Sequence, residues 1–347
     1  SLKSIQEKST TGSPLTGGIN LGSTLTFSDR NILHLGSFFT AFDHSSRDSI
    51  QHKLPVEYHM TSNDNKRGWN LDASIIHALK FSDDNSLTTT AAFAQSGEHQ
   101  KEINDRNSNG TGPDDHSHIY QDDAVETKEF ESVYKTQSPR FGMVQGGVSY
   151  QSLAINSELE YLHSPYGFDF NEQVSSGYFR VQKSLKSMLS SLSAGIRIEQ
   201  RKTSTGVYDI ELPDSHQHTD TSNVFVALID SSIANSPPAE KVLYLYPELK
   251  TGFSSMDKKL SIIMKYGRRI NRLKLAMINP FPISMIDEYH VRKGNPFLKP
   301  ELVDIYQISF SFRLNTKQHP MFTGNIVYKD IQDLIQWHDV DFVTINE

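Results

Sequence analysis

The chain has 347 residues, 36% of them hydrophobic, a formal net charge of −7 and no cysteine. The acidic balance disfavours a nucleic-acid partner, because phosphates select basic surfaces, and without cysteine there are no disulfides or thiolate metal sites. Mean hydropathy is −0.48 and the longest apolar run, Val224 to Ile229, falls far short of the ~18 residues that a spanning helix needs.

Taken in chain order, the sequence reads as strand after strand. Ile19 to Phe27 sets Ile19, Leu21, Leu25 and Phe27 against Asn20, Gly22, Thr24 and Thr26, and the turn cluster Ser28–Asn31 leads into Ile32–Phe42. Trp69–Phe81 and Leu87–Gln95 flank Ser82–Asn85, and Phe130–Gln137 and Met143–Tyr150 flank Ser138-Pro139. Leu153–Leu162 and Val174–Leu185 flank an aromatic loop at Ser164–Asn171, and Leu192–Gln200 leads into a long polar loop. Lys241–Phe253, Lys259–Arg269, Val303–Leu314 and Phe322–Ile331 complete a series of about 14 strands, mostly 8 to 13 residues long. Soluble strands average nearer ~5–6 residues, whereas strands of a spanning barrel need ~9–11. Apolar residues on one face and polar ones on the other are what oil on one side and water on the other select.

The connections alternate between short turns and long segments. The long ones are Gly97–Glu126, Thr205–Asn223 and Asn271–Pro300, an asymmetry expected of brief periplasmic turns and extended outer loops. Gly97–Glu126 holds eight acids against Lys101 and Arg106, a net −6. With His99, it offers Asp114, Asp115, His116 and His118 as weak metal candidates, though the charges alone describe a solvated loop kept extended by repulsion. The second long loop carries His216 and His218 as ligand-binding candidates, and Tyr166, Phe168 and Phe170 could stack on a sugar or a siderophore ring or pack on their own loop. Aromatics at strand ends (Phe39, Phe42, Trp69, Phe81, Tyr161, Tyr178, Tyr266 and Phe322) suit an interfacial girdle. No GxSxG, P-loop, HExxH or strand-to-helix G-x-G-x-x-G is present, so we read the chain as no enzyme and assign no cofactor.

The most specific stretch runs from Tyr266 to Glu301: YGRRINR, then Asn279-Pro280-Phe281, then GNPFLKPE at Gly294–Glu301. From Tyr306 to Leu314 the residues alternate strictly, with Ile308, Phe310 and Phe312 on one face and Gln307, Ser309, Ser311 and Arg313 on the other. Counting back by twos turns Glu301 inward. The same logic turns Lys259, Ser261, Lys265 and Arg269 inward, and Leu260, Ile262, Met264 and Tyr266 toward lipid. Arg268, Arg269 and Arg272 with Glu301 form a charged set suited to an Arg–Glu pair stapling neighbouring strands.

This stretch, with both flanking strands, resembles the late barrel region of TonB-dependent outer-membrane receptors. The closest version is the outer-membrane β-barrel family of Bacteroidetes-type, Gram-negative bacteria. The specific part covers roughly Leu243 to Trp337. The resemblance implies an all-β fold, an antiparallel transmembrane β-barrel in the cell outer membrane, with residues 1–347 as a single barrel domain. It also implies a plug domain and a TonB-contacting segment before the barrel. Neither is read in this chain, nor is a signal peptide at Ser1-Leu2-Lys3, so a barrel fragment is expected. Arg269, Glu301 and Arg313 are the implied lumen charges that pack against a plug. The implied function is receptor-mediated uptake of a siderophore, glycan, peptide or vitamin. Its partners would be membrane lipid, the TonB complex (through the missing N-terminal region) and a surface lipoprotein. A passive porin-like or surface-binding barrel stays open beside it, as does a secreted soluble β-sandwich that binds glycans.

Overall fold

Twelve strands pair in sequence order, each antiparallel to the one before, so that every connection joins neighbours. They are β1 (Gln6–Ser28), β2 (Asn31–His52), β3 (Tyr58–Ser82), β4 (Asn85–Ser108), β5 (Asp115–Ser138), β6 (Gly142–Tyr161), β7 (Ser164–Ser184) and β8 (Leu189–Asp209). The sheet continues through β9 (Glu240–Ser254) and β10 (Leu260–Asn271) and ends with β13 (Glu301–Arg313) and β14 (Met321–Gln332). Between β10 and β13 lie a one-turn helix, α1 (Leu275–Ile278), and a separate hairpin of β11 (Pro282–Asp287) with β12 (His290–Lys293). This computed structural model describes residues 6–52, 58–108, 115–161, 164–185, 188–209, 239–255, 259–287, 290–295, 297–313 and 321–336. Among the described residues β1 and β14 are free edges, so the sheet is not closed upon itself.

The period-two reading of β10 and β13 holds in register. Leu260, Ile262, Met264 and Tyr266 lie opposite Phe312, Phe310, Ile308 and Tyr306, while Ser261 and Lys265 lie opposite Ser311 and Gln307. The apolar row is exposed rather than sealed in a core, with Ile308 at 44%. It continues sideways as Phe322 and Ile326 on β14, and as Leu243, Leu245, Leu249 and Phe253 on β9. One face of a single sheet therefore offers a continuous apolar band, and the opposite, inner face carries the polar residues. That arrangement excludes the β-sandwich, whose two sheets would bury these same side chains against each other.

Strand length is where the structure departs from the expectation. β1 to β8 run 20 to 25 residues, roughly 65–80 Å at ~3.3 Å per residue, against an apolar band ~25 Å tall. Alternation marks only the part of each strand inside the band. Beyond it the outer face meets water and the apolar–polar contrast fades on most strands, although backbone pairing goes on. Most of Gly97–Glu126 is therefore not a loop but the extended arms of β4 and β5. Met143–Tyr150 and Leu153–Leu162 are parts of the one strand β6, and Ser164–Asn171 is the first part of β7. The β11–β12 hairpin, which lies within the expected loop Asn271–Pro300, stands outside the twelve-stranded sheet among the described residues.

Candidate functional site

Two surfaces of the barrel carry organised chemistry, and the more enclosed lies on the inner face of β5 to β8. There β7 turns Tyr166, Phe168, Phe170, Glu172 and Val174 to the same side at alternate positions, and all five are buried. The cover is the chain's own connection between β10 and β13, which folds inward as a strap. Ile278 and Phe281 of the strap cluster with Ile119, Ile155, Leu159, Tyr166, Phe168, Phe170 and Val207. Phe281 is 0% exposed, and its ring meets that of Phe168 edge-on, centroids 6.3 Å apart at 72°. Burying such a side chain stabilises by about 1.5–3 kcal/mol. Tyr166, Phe168 and Phe170, expected in an outer loop facing a ligand, thus stand on a strand with the strap packed over them.

Next to this cluster lies a network of charges. Arg201 of β8 donates from Nε to Glu172 of β7, both nearly excluded from water. Arg272, the first residue after β10, reaches Glu172 at 3.5 Å and donates from Nη2 to Glu199 at 3.0 Å. Glu199 is 1% exposed and also receives Arg197 at 3.2 Å and the Tyr246 hydroxyl at 3.5 Å. Carboxylates this deep persist because each is paired, since an isolated buried charge would be prohibitive. Further down the wall Arg180 donates from Nη2 to Glu248 at 2.7 Å across β8. Gly195 permits that crossing, because a Cβ there would collide with the Glu248 carboxylate.

The legs of the strap are tied to each other. Gly294 N–H donates to the Asn279 carbonyl at 2.8 Å and Asn295 N–H to the Met277 carbonyl at 2.7 Å. The Asn279 side chain accepts from Phe281 N–H at 2.9 Å. A Cβ on Gly294 would meet the Asn279 carbonyl oxygen at 2.5 Å, so only glycine fits. Here the Asn-Pro-Phe and Gly-Asn-Pro-Phe segments have a physical use. One seats the phenyl ring, and the other lets the returning leg pass against it.

The second surface is on the outside, at the upper end of β10, β13 and β14. Tyr266, Tyr306 and Tyr328 stand side by side with centroids 5.0 and 6.0 Å apart, a row suited to the membrane–water border. Above it Arg268 grips Asp304 with two hydrogen bonds, 3.0 and 2.7 Å, and Tyr266 donates to the same carboxylate at 3.0 Å.

The expected charged set is therefore dispersed. Arg268 faces outward to Asp304, and Arg272 leaves the sheet for Glu172 and Glu199. Arg269 lies opposite Val303, exposed, and Arg313 stands at the other end of β13, also exposed. Glu301 is buried on the inner side, as its parity requires, but its partners are not arginines. It accepts the Asn271 amide at 2.6 Å and Ile335 N–H at 2.8 Å, joining β10, β13 and the segment after β14. Those two donors, the Ile335 N–H foremost, hold its carboxyl below the ordinary glutamate range at a position beyond the tyrosine row. Tyr178, expected in a girdle, points inward and receives the Gln145 amide at 3.0 Å.

Asp114, His216 and His218 lie outside the described residues. Asp115, His116 and His118 begin β5, and only their backbone positions are described. Among the described residues no group of three His, Asp or Glu side chains is placed to hold a metal ion. Sequence reasoning missed Glu172, Glu199 and Arg201. The spacing E-x-R of Glu199 and Arg201 is a usable signal, hidden because the sequence alternation reads as ending at Gln200 while β8 runs on to Asp209.

No curated protein matches the chain by sequence. Among solved structures, the chain is similar to the ferric-catecholate import receptor Fiu of E. coli K12, with a TM-score of 0.53 at 9% identity. The match covers 97% of this chain and 59% of that one. The hemophore receptor HasR of Serratia marcescens gives a TM-score of 0.39 at 10% identity, over 91% of this chain and 54% of that one. The alcaligin receptor FauA of Bordetella pertussis gives 0.38 at 11%, over 96% and 52%. The chain thus spans little more than half the length of these receptors. Only the first likeness is close enough to argue from, and it speaks for the fold. The sequence pattern of the outer membrane protein beta-barrel family matches residues 61–346, so this chain, with its apolar outer band and polar inner wall, belongs to that family and resides in the outer membrane.

Proposed function

We propose that the chain is the barrel portion of a receptor that imports a scarce nutrient across the outer membrane with energy delivered through TonB. The observation that carries this reading is the extent of the likeness to Fiu, an import receptor, over 97% of the chain. A paired and partly filled inner wall on β5 to β8 fits a receptor better than an open pore, because a passive channel profits from an unobstructed lumen. In this reading the chain itself performs no catalysis. The long strand arms beyond the apolar band are the capture surface, a surface lipoprotein is a candidate partner, and the substrate class is a siderophore, glycan, peptide or vitamin. The test is growth of a strain lacking the whole gene on limiting iron, cobalamin, glycan and peptide sources, with TonB present or absent. A defect confined to one source, and reproduced by loss of TonB, supports the proposal. Normal growth on all of them, or uptake indifferent to TonB, would sink it.

A further inference from the structure

We propose that the strap between β10 and β13 is a fixed part of the inner wall rather than a lid, and that it stays seated while solute passes. The passage half of this statement rests on the import reading; the seat does not. Segments that open readily have few buried apolar contacts and wet backbone bonds. The strap has the opposite character. Ile278 and Phe281 are wedged among side chains from four strands, β5, β6, β7 and β8. Arg272 spans carboxylates on two of them, and the two legs are bonded to each other beside a glycine with no spare room. Lifting the strap would expose Tyr166 and Phe168 to water and would take Arg272 away from both buried glutamates, so the open state has nothing to balance the closed one. The inner face of β2 and β3 lies outside the strap's cluster; it mixes half-buried groups, such as Asn70 donating to Thr40 at 3.2 Å, with the buried Ser62 and the charges of Asp64 and Lys66.

The chain has no cysteine, so an introduced thiol can report alone in a full-length receptor stripped of any other. Ile278→Cys and Lys274→Cys place thiols on one strap, at a buried and an exposed position. In outer membranes, maleimide should alkylate the Ile278→Cys variant on the order of 100-fold more slowly than the Lys274→Cys variant, and the ratio should hold while substrate is being imported. A ratio near one, or one that collapses on adding substrate, would overturn the proposal. Separately, Phe168→Cys with Phe281→Cys joined by a short bis-methanethiosulfonate reagent, each thiolate displacing methanesulfinate to form a disulfide, should leave uptake within about two-fold of the unlinked protein, whereas loss of uptake on linking would make the strap a lid. Should no substrate be imported under any condition, the import reading fails, yet the resting ratio still decides the seat.

Discussion

The two arginine–carboxylate groupings of this barrel both bury the carboxylate but differ in the arginine, which is shut in on the inner wall and open to water at the outer border. On the inner wall, Glu172, Glu199 and Arg201 are nearly shut off from water beneath the strap. At the outer border, Arg268 and Asp304 form a two-bonded pair whose carboxylate is as buried as Glu172, 9% against 8% of the side chain, but whose arginine keeps a third of its side chain exposed. Inside, removing one partner strands a charge in a medium that cannot solvate it. Outside, the arginine that covers Asp304 is itself open to water, so its removal lets solvent reach the abandoned carboxylate. The difference teaches that burial, more than bond count, sets what a pair contributes.

The sharpest way to break this comparison is Arg201→Met, which takes the hydrogen-bonded arginine from Glu172 on the inner wall and leaves it only Arg272 at 3.5 Å. It should destabilise the barrel by about 3–5 kcal/mol in urea unfolding, and adding Glu172→Leu should recover most of the loss. No recovery in the double variant would mean that packing, not stranded charge, dominates there. The outer face is probed next by Ile308→Arg, which places a charge in the apolar band and should cost about 2–4 kcal/mol in lipid, against a small fraction of that for Gln307→Arg one residue away. Equal costs would contradict the assignment of the two faces. Third comes Arg268→Ala at the border, expected to cost only about 1 kcal/mol because the Asp304 carboxylate keeps the Tyr266 hydroxyl and gains water. A loss as large as that of Arg201→Met would erase the distinction drawn above.

The smallest effect concerns pH. Glu301 has a carboxyl held below its ordinary value of 4.5 by its two donors. Its ionised form therefore contributes stability that is present above that value and lost as pH falls through the lower folded value. Glu301→Gln should lower the unfolding midpoint slightly at pH 7, and the gap to the native chain should close on acidification. A gap unchanged at pH 3 would show that the carboxylate charge is not what the site uses.

Much of the outer surface was legible in advance, and the reason is local. A strand that meets oil on one side must alternate, so Ile308, Phe310 and Phe312 could be assigned outward, and Glu301 inward, by counting in twos. The inner wall was not legible in the same way. Tyr166, Phe168 and Phe170 alternate with Gly167, Asp169 and Asn171, but Pro165 and Gly167 make the stretch look like a loop, and the cover that buries the three rings arrives from Phe281, over a hundred positions later.

What the sequence determined by itself was which face each residue of a banded strand presents, because the bilayer imposes that choice one residue at a time. Only the tertiary structure decided that Arg272 would leave its neighbours for Glu172 and Glu199, and that Asn271, not an arginine, would hold Glu301. Those pairings depend on the inward fold of one connection and on the register of strands far apart in the chain. No short-range pattern encodes which of several arginines will reach a carboxylate once the sheet has curled.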